Sequence, residues 1–114
     1  MSADRIAIVE TIAFINKAKS CMTDAERIAA IDMIAAAPEC GDIIEGGGGI
    51  RKVRFAIGSR GKSGGVRIVY YYHCQDLPVF LLTVFAKSEA ANLSKAERNK
   101  LAVVAKTLAA IYGS

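Results

Sequence analysis

Apolar residues along this chain recur at two periods, and the switches between them mark out its elements. Residues 5–10 (Arg-Ile-Ala-Ile-Val-Glu) are apolar and β-branched, which predicts a short opening strand. Residues 11–19 carry Ile12, Phe14, Ile15 and Ala18 and predict a short helix over one sheet face. Thr23-Asp24-Ala25-Glu26 is a capping box, in which threonine and glutamate side chains satisfy each other's backbone N–H groups at a helix start. The helix it opens has an inner face of Ile28, Ile31 and Ala35, with Ile34 adjoining, and stops at Pro38. Residues 39–49 read as a loop ending in four glycines. Period-two patterning then predicts strands over 50–57 and 66–73, joined by the glycine-rich residues 58–65. Residues 79–86 (Val-Phe-Leu-Leu-Thr-Val-Phe-Ala) are almost wholly apolar, as suits a central strand covered on both faces. Ser94-Lys95-Ala96-Glu97 is a second capping box, and its helix offers Leu101, Val104, Ala105, Leu108 and Ile111 for burial before ending at Gly113. The order β-α-α-β-β-β-α predicts an α+β fold: a small, mostly antiparallel sheet with helices packed on one face. At 114 residues the chain reads as one domain, 1–114.

Strand alternation sorts the charged residues by face. Lys52 and Arg54 point away from Val53, Phe55 and Ile57, and Arg67 points away from Val66 and Ile68. If helices cover the apolar face, Lys52, Arg54 and Arg67 converge on the open one. Arg60 and Lys62 overhang it from the glycine-rich connection, and Lys87 sits at its rim. Arg51 alternates to the other side, whereas Tyr71, alone among Tyr70, Tyr71 and Tyr72, faces the basic side.

Charge sharpens this picture. The net charge is +4, yet residues 46–75 hold six bases and no acid, while the remainder holds nine bases and eleven acids. A positive field this localised suits a polyanion footprint. It equally suits a solvated sheet that resists edge-to-edge association. Three cysteines (Cys21, Cys40, Cys74) at irregular spacing lack a C-x-x-C pair, which disfavours a zinc site or disulfide framework and leads us to expect neither metal nor cofactor. Neither a signal peptide nor a membrane span is expected from the pattern, so a cytoplasmic protein is the default expectation.

Ala56-Ile57-Gly58-Ser59-Arg60-Gly61-Lys62-Ser63 approximates a phosphate-binding P-loop, with alanine for the first glycine. That loop works by running from a strand into a helix whose first N–H groups cradle phosphate. Here the following run, Val66 to Tyr72, is β-rich, so nucleotide hydrolysis is disfavoured. The glycines instead suit a turn that lets backbone and cations approach a phosphodiester.

The stretches Gly49-Ile50-Arg51-Lys52-Val53-Arg54 and Gly61-Lys62-Ser63-Gly64-Gly65-Val66-Arg67-Ile68-Val69-Tyr70-Tyr71 resemble the RelE/HigB toxin superfamily, in particular its HigB-like branch. The resemblance continues through Leu81-Leu82-Thr83-Val84-Phe85-Ala86-Lys87-Ser88-Glu89 and Leu93, and begins at Val9-Glu10-Thr11 with Phe14. It implies a toxin that enters the ribosomal A site and cleaves mRNA, restrained by a cognate antitoxin, in HigB-like systems usually a helix-turn-helix protein. It also implies that Lys52 and Arg54 are the basic pair of the first long strand, Arg67 the arginine of G-x-R-x-x-Y, and Lys87 the basic position after the last strand. The tyrosine that RelE-type members use near the C-terminal region has no counterpart, because Asn92-Leu93-Ser94 stands there. Histidine-using members are not matched either, since His73 is the only histidine.

The reaction implied is attack of a ribose 2′-OH on its own 3′-phosphate, leaving a 2′,3′-cyclic phosphate and a 5′-OH. It needs a proton acceptor, charge stabilisation in the transition state and an acid for the leaving oxygen. Arginine clamps and stabilises but stays protonated, so Arg67 is the expected phosphate stabiliser, with Arg54 assisting. Lys52 or Lys62 is the proton-handling candidate, and Lys87 positions the substrate. Arg60 and Tyr71 are expected RNA contacts, although Arg60 and Lys62 also suit ribosomal RNA contacts and the tyrosines also suit strand packing. Two other functions fit the fold: a ParE-like toxin that inhibits DNA gyrase by binding, and a relative that binds RNA without cutting it.

Overall fold

A computed structural model of the chain describes residues 5–57, 65–86 and 93–113. Arg60, Lys62, Lys87 and most of the P-loop-like segment lie outside the described residues. The described elements are β1 (Ile8–Glu10), α1 (Ile12–Cys21), α2 (Asp24–Ala36), β2 (Asp42–Ile43), β3 (Ile50–Phe55), β4 (Val66–Tyr71), β5 (Val79–Ala86) and α3 (Lys95–Gly113). They build a five-stranded sheet in the order β1-β5-β4-β3-β2. β1 runs parallel to β5, and the other pairings are antiparallel. This is the expected α+β architecture with one added strand.

Local chemistry sets the helix starts. Thr11 accepts from Phe14 N at 3.2 Å and donates to Leu81 O at 2.7 Å, so one hydroxyl caps α1 and pins it to β5. Both bonds of the Thr23–Glu26 capping box are formed, at 2.9 and 3.1 Å. At α3, Ser94 N donates to Glu97 at 3.2 Å and Glu97 N to Ser94 Oγ at 3.1 Å. Arg27 of α2 forms an ion pair with Glu10 at the end of β1.

Two apolar clusters lie on opposite sides of the sheet. On one side Phe14, Ala18 and Cys21 of α1 and Ala30 and Ile34 of α2 pack on Val66, Ile68, Tyr70, Val79, Leu81 and Val84. Full burial of a side chain such as Phe14 contributes roughly 1.5–3 kcal/mol. On the other side Ala105, with Leu101 and Leu108, packs α3 on Ile50, Val69, Tyr71, Phe80 and Leu82. β5 is covered on both faces, as its unbroken apolar run predicts.

Four expectations need correction. The helices do not all lie on one face: α3 crosses to the side that carries the basic residues, because Ile50, Val69 and Tyr71 make one end of that face apolar. Ile28 is 59% exposed, since at about 100° per residue it falls nearly opposite Ala30, which anchors α2. In α3 the packed stripe is Leu101, Ala105, Leu108 and Tyr112, with Tyr112 edge-on to Phe80, while Val104 and Ile111 face outward. The loop expected over 39–49 also contains β2, whose two residues pair with Arg51 and Lys52.

Candidate functional site: a cationic sheet face beside the third helix

The antiparallel register of β3 and β4 assembles the site. Arg54 lies directly across from Arg67, and Lys52 across from Val69. Cross-strand partners share a face with Cβ atoms ~4.5–5.5 Å apart, and diagonal neighbours are ~7–8 Å apart. Lys52, Arg54 and Arg67 therefore form one compact triplet on the α3 side of the sheet. Phe85 is the β5 partner of Arg67, and Thr83 that of Val69. A register shift between Val69 and Tyr70 lets β5 direct both Leu82 and Thr83 to this side.

Like charges directly opposite each other destabilise a sheet. Arg67 also has a cost of its own: its Nη1 atom is buried and makes no hydrogen bond. Buried polar atoms are nearly always partnered, so each exception calls for an explanation, and Arg51 Nε on the opposite side is in the same state. Arg54 is exposed, so a ligand approaching Arg67 from solvent meets both guanidinium groups. Guanidinium groups carried on adjacent strands of one face suit a phosphodiester, whose non-bridging oxygens accept in pairs.

Arg51 occupies the opposite side, donating from Nη1 to Gly41 O at 2.8 Å and so bracing the chain that enters β2. Tyr71 shares the basic face, but it is 5% exposed beneath α3. Its ring belongs to the core and is not presented as an open platform for a base. Its hydroxyl meets His73 Nδ1 at 3.1 Å, and the rings stack with centroids 6.0 Å apart. His73 lies six residues along the chain from Arg67, up to about 20 Å at strand rise.

Sequence reasoning did not place two neighbours of the triplet. β2 sets Asp42 across from Lys52, a carboxylate at the edge of the cationic face. α3 brings Arg98 over the glycine turn, where it lines a cleft of about 230 Å³ with Ile44, Glu45, Lys52 and Leu93. Arg98 lies on a separate element 46 residues from Lys52 along the chain, so strand alternation gives no signal for it. Among the described residues no three His, Cys, Asp or Glu side chains group to hold a metal ion, and Cys21, Cys40 and Cys74 are free thiols. No described helix is long and apolar enough to cross a membrane.

Comparison with known proteins finds the same fold elsewhere. The fold matches a double arginine-to-alanine mutant of the E. coli toxin RelE in the free state, with a TM-score of 0.57 at 15% identity. The match covers 87% of this chain and 95% of that one. The family model for the RelE toxin of the RelE/RelB toxin–antitoxin system matches residues 7–114. A cationic sheet face, a RelE-like fold and a family match over nearly the whole length lead to one conclusion: the chain belongs to the RelE toxin family.

Proposed function

We propose that this toxin is a ribosome-dependent endoribonuclease that cuts mRNA in the A site and so inhibits translation. The observation that carries the reading is the facing pair Arg54 and Arg67, with Arg67 Nη1 buried and unpartnered. Like-charged cross-strand partners, one of them with a buried and unpartnered nitrogen, support a role in gripping an anion.

In this reading the 2′-oxygen attacks the adjacent phosphorus and the P–O5′ bond breaks. The 2′-OH proton passes to a base, and the departing 5′-oxygen takes up a proton. Arg67, assisted by Arg54, stabilises the charge that builds on the non-bridging oxygens. Lys52 or Lys62 handles protons, Lys87 positions the strand, and Arg60 contacts RNA. Tyr71 then supports the site by packing beneath α3. The cations supply the transition-state charge stabilisation, so the reaction is proposed to be metal-independent and to need no cofactor. DNA lacks the attacking 2′-OH and is not a substrate. Few groups in the site transfer protons, which makes the enzyme slow on free RNA and dependent on the ribosome for orientation. The partner is a cognate antitoxin of the helix-turn-helix kind found with the HigB-like branch, and the site of action is the cytoplasm.

The test is to map RNA 5′ ends after induced expression. Breaks within translated codons, absent for Arg67→Ala, support the reading. Intact mRNA with DNA-damage signalling would replace it with ParE-like inhibition of gyrase. Growth arrest with intact mRNA and no such signalling would leave RNA binding without cleavage.

A further inference from the structure

The geometry points to a second phosphate position beside the scissile one, formed by Arg98 with Lys52 and occupied by the backbone of the same RNA strand. This rests on the reading of Lys52, Arg54 and Arg67 as the site that grips the phosphate to be cut.

Arg98 and Lys52 line one cleft of about 230 Å³, together with Ile44, Glu45 and Leu93. Lys52 therefore belongs both to the triplet and to the lining of this cleft. Arg98 Nε is buried and makes no hydrogen bond, the same condition found at Arg67 Nη1. Its Nη2 donates to the neighbouring Asn99 Oδ1 at 3.2 Å, an exposed contact that water readily replaces. The adjacent Glu97 is engaged with Ser94 in the helix cap. Backbone space is also set aside for the guanidinium. A Cβ at Gly46 would lie 3.2 Å from Arg98 Cζ, and Gly46 has φ +78, so glycine there leaves room for the arginine against the turn.

The cleft is not purely cationic. Glu45 lines it, and Asp42 lies across from Lys52 on β2. These carboxylates oppose an anion, which makes their removal informative. A guanidinium that merely braces the glycine turn contributes to folding and nothing to RNA affinity. One that contacts a phosphate contributes one counterion's worth of salt dependence, and neutralising Glu45 then strengthens binding.

The experiment compares wild type, Arg98→Gln, Arg98→Lys and Glu45→Gln. Two readouts are used: binding of a 2′-O-methyl oligoribonucleotide, which cannot be cut, across a salt series, and cleavage on programmed ribosomes. Thermal melting of each variant separates folding from binding. Arg98→Gln is expected to reduce the slope of log K against log salt by about 0.7, the value for one contact on a single strand. It should also weaken binding roughly tenfold or more, with the cleavage loss expressed in KM rather than kcat. Arg98→Lys should restore the slope, and Glu45→Gln should bind more tightly than wild type. Wild-type slope and affinity in a folded Arg98→Gln protein would overturn the inference. So would a loss of melting temperature with no loss of slope. If wild type fails to cut on ribosomes while Arg98→Gln still loses slope, the nuclease reading fails and the phosphate position stands.

Discussion

Arg54 on β3 and Arg67 on β4 are direct cross-strand partners on one face of the sheet, two like-charged residues paired where a cross-strand pair would ordinarily contribute to stability. A bound anion would offset the repulsion between them.

Neutralising Arg54 should therefore stabilise the free protein while lowering its activity. Arg54→Thr is expected to raise unfolding stability by roughly 0.2–1 kcal/mol, because a β-branched neutral residue replaces a repelling charge. Urea denaturation at low salt is the measurement. The gain should shrink as salt screens the wild-type repulsion. A destabilised Arg54→Thr protein at low salt would show that the pair is not repulsive.

Arg67 should matter more to the chemistry than Arg54. Loss of one preorganised charge-stabilising donor typically costs about 10²–10³ in rate. Arg67→Ala should fall in that range on programmed ribosomes, and Arg67→Lys should recover only part, since an ammonium cannot fork onto two oxygens. Equal rates for Arg67→Lys and wild type would reduce the role of Arg67 to simple charge.

Tyr70 holds the approach to β2. Its hydroxyl accepts from Gly41 N and donates to Pro38 O, both at 2.8 Å. A Cβ at Gly41 would fall 2.8 Å from that oxygen and 3.0 Å from Lys52 O, so glycine is required for the close approach. Tyr70→Phe leaves the Gly41 N–H without its partner and is expected to cost about 1–3 kcal/mol in chemical denaturation. Gly41→Ala should be destabilising through the same contact. A Tyr70→Phe protein as stable as wild type would mean that water replaces the hydroxyl.

The same burial makes stability pH-dependent on the alkaline side. Desolvation pushes the Tyr70 phenol well above its ordinary value of 10.0, and burial also raises Tyr71. The folded state then keeps protons that the unfolded state releases, so this stability is complete below about pH 10 and is lost as pH rises from there toward the folded values. The denaturation midpoint should be flat to about pH 9 and fall beyond it, by at most about 1.4 kcal/mol per pH unit for each phenol. Tyr70→Phe should lessen that fall, leaving the share of Tyr71. An unchanged slope would locate the alkaline sensitivity elsewhere.

Much of this molecule was legible in its residues. Period-two alternation put Lys52, Arg54 and Arg67 on a common side, the two capping boxes marked the starts of α2 and α3, and the apolar run at 79–86 named a strand covered on both faces, although β4 is the middle one. These are properties of a few consecutive residues, set by backbone geometry and by which side chains water rejects.

Contact between segments distant in sequence was decided only by tertiary structure. The β3–β4 register determined that Arg54 meets Arg67, a choice that alternation leaves open in steps of two residues. Packing of Leu101, Ala105 and Leu108 on Ile50, Val69 and Tyr71 carried α3 onto the basic face, buried Tyr71 and delivered Arg98 to the cleft beside Lys52. Pairing with Arg51 and Lys52 made a strand of Asp42 and Ile43, too short a segment to show a period of its own. A sequence ranks each residue's preference for burial, and the partner that satisfies the preference is chosen by the whole fold at once.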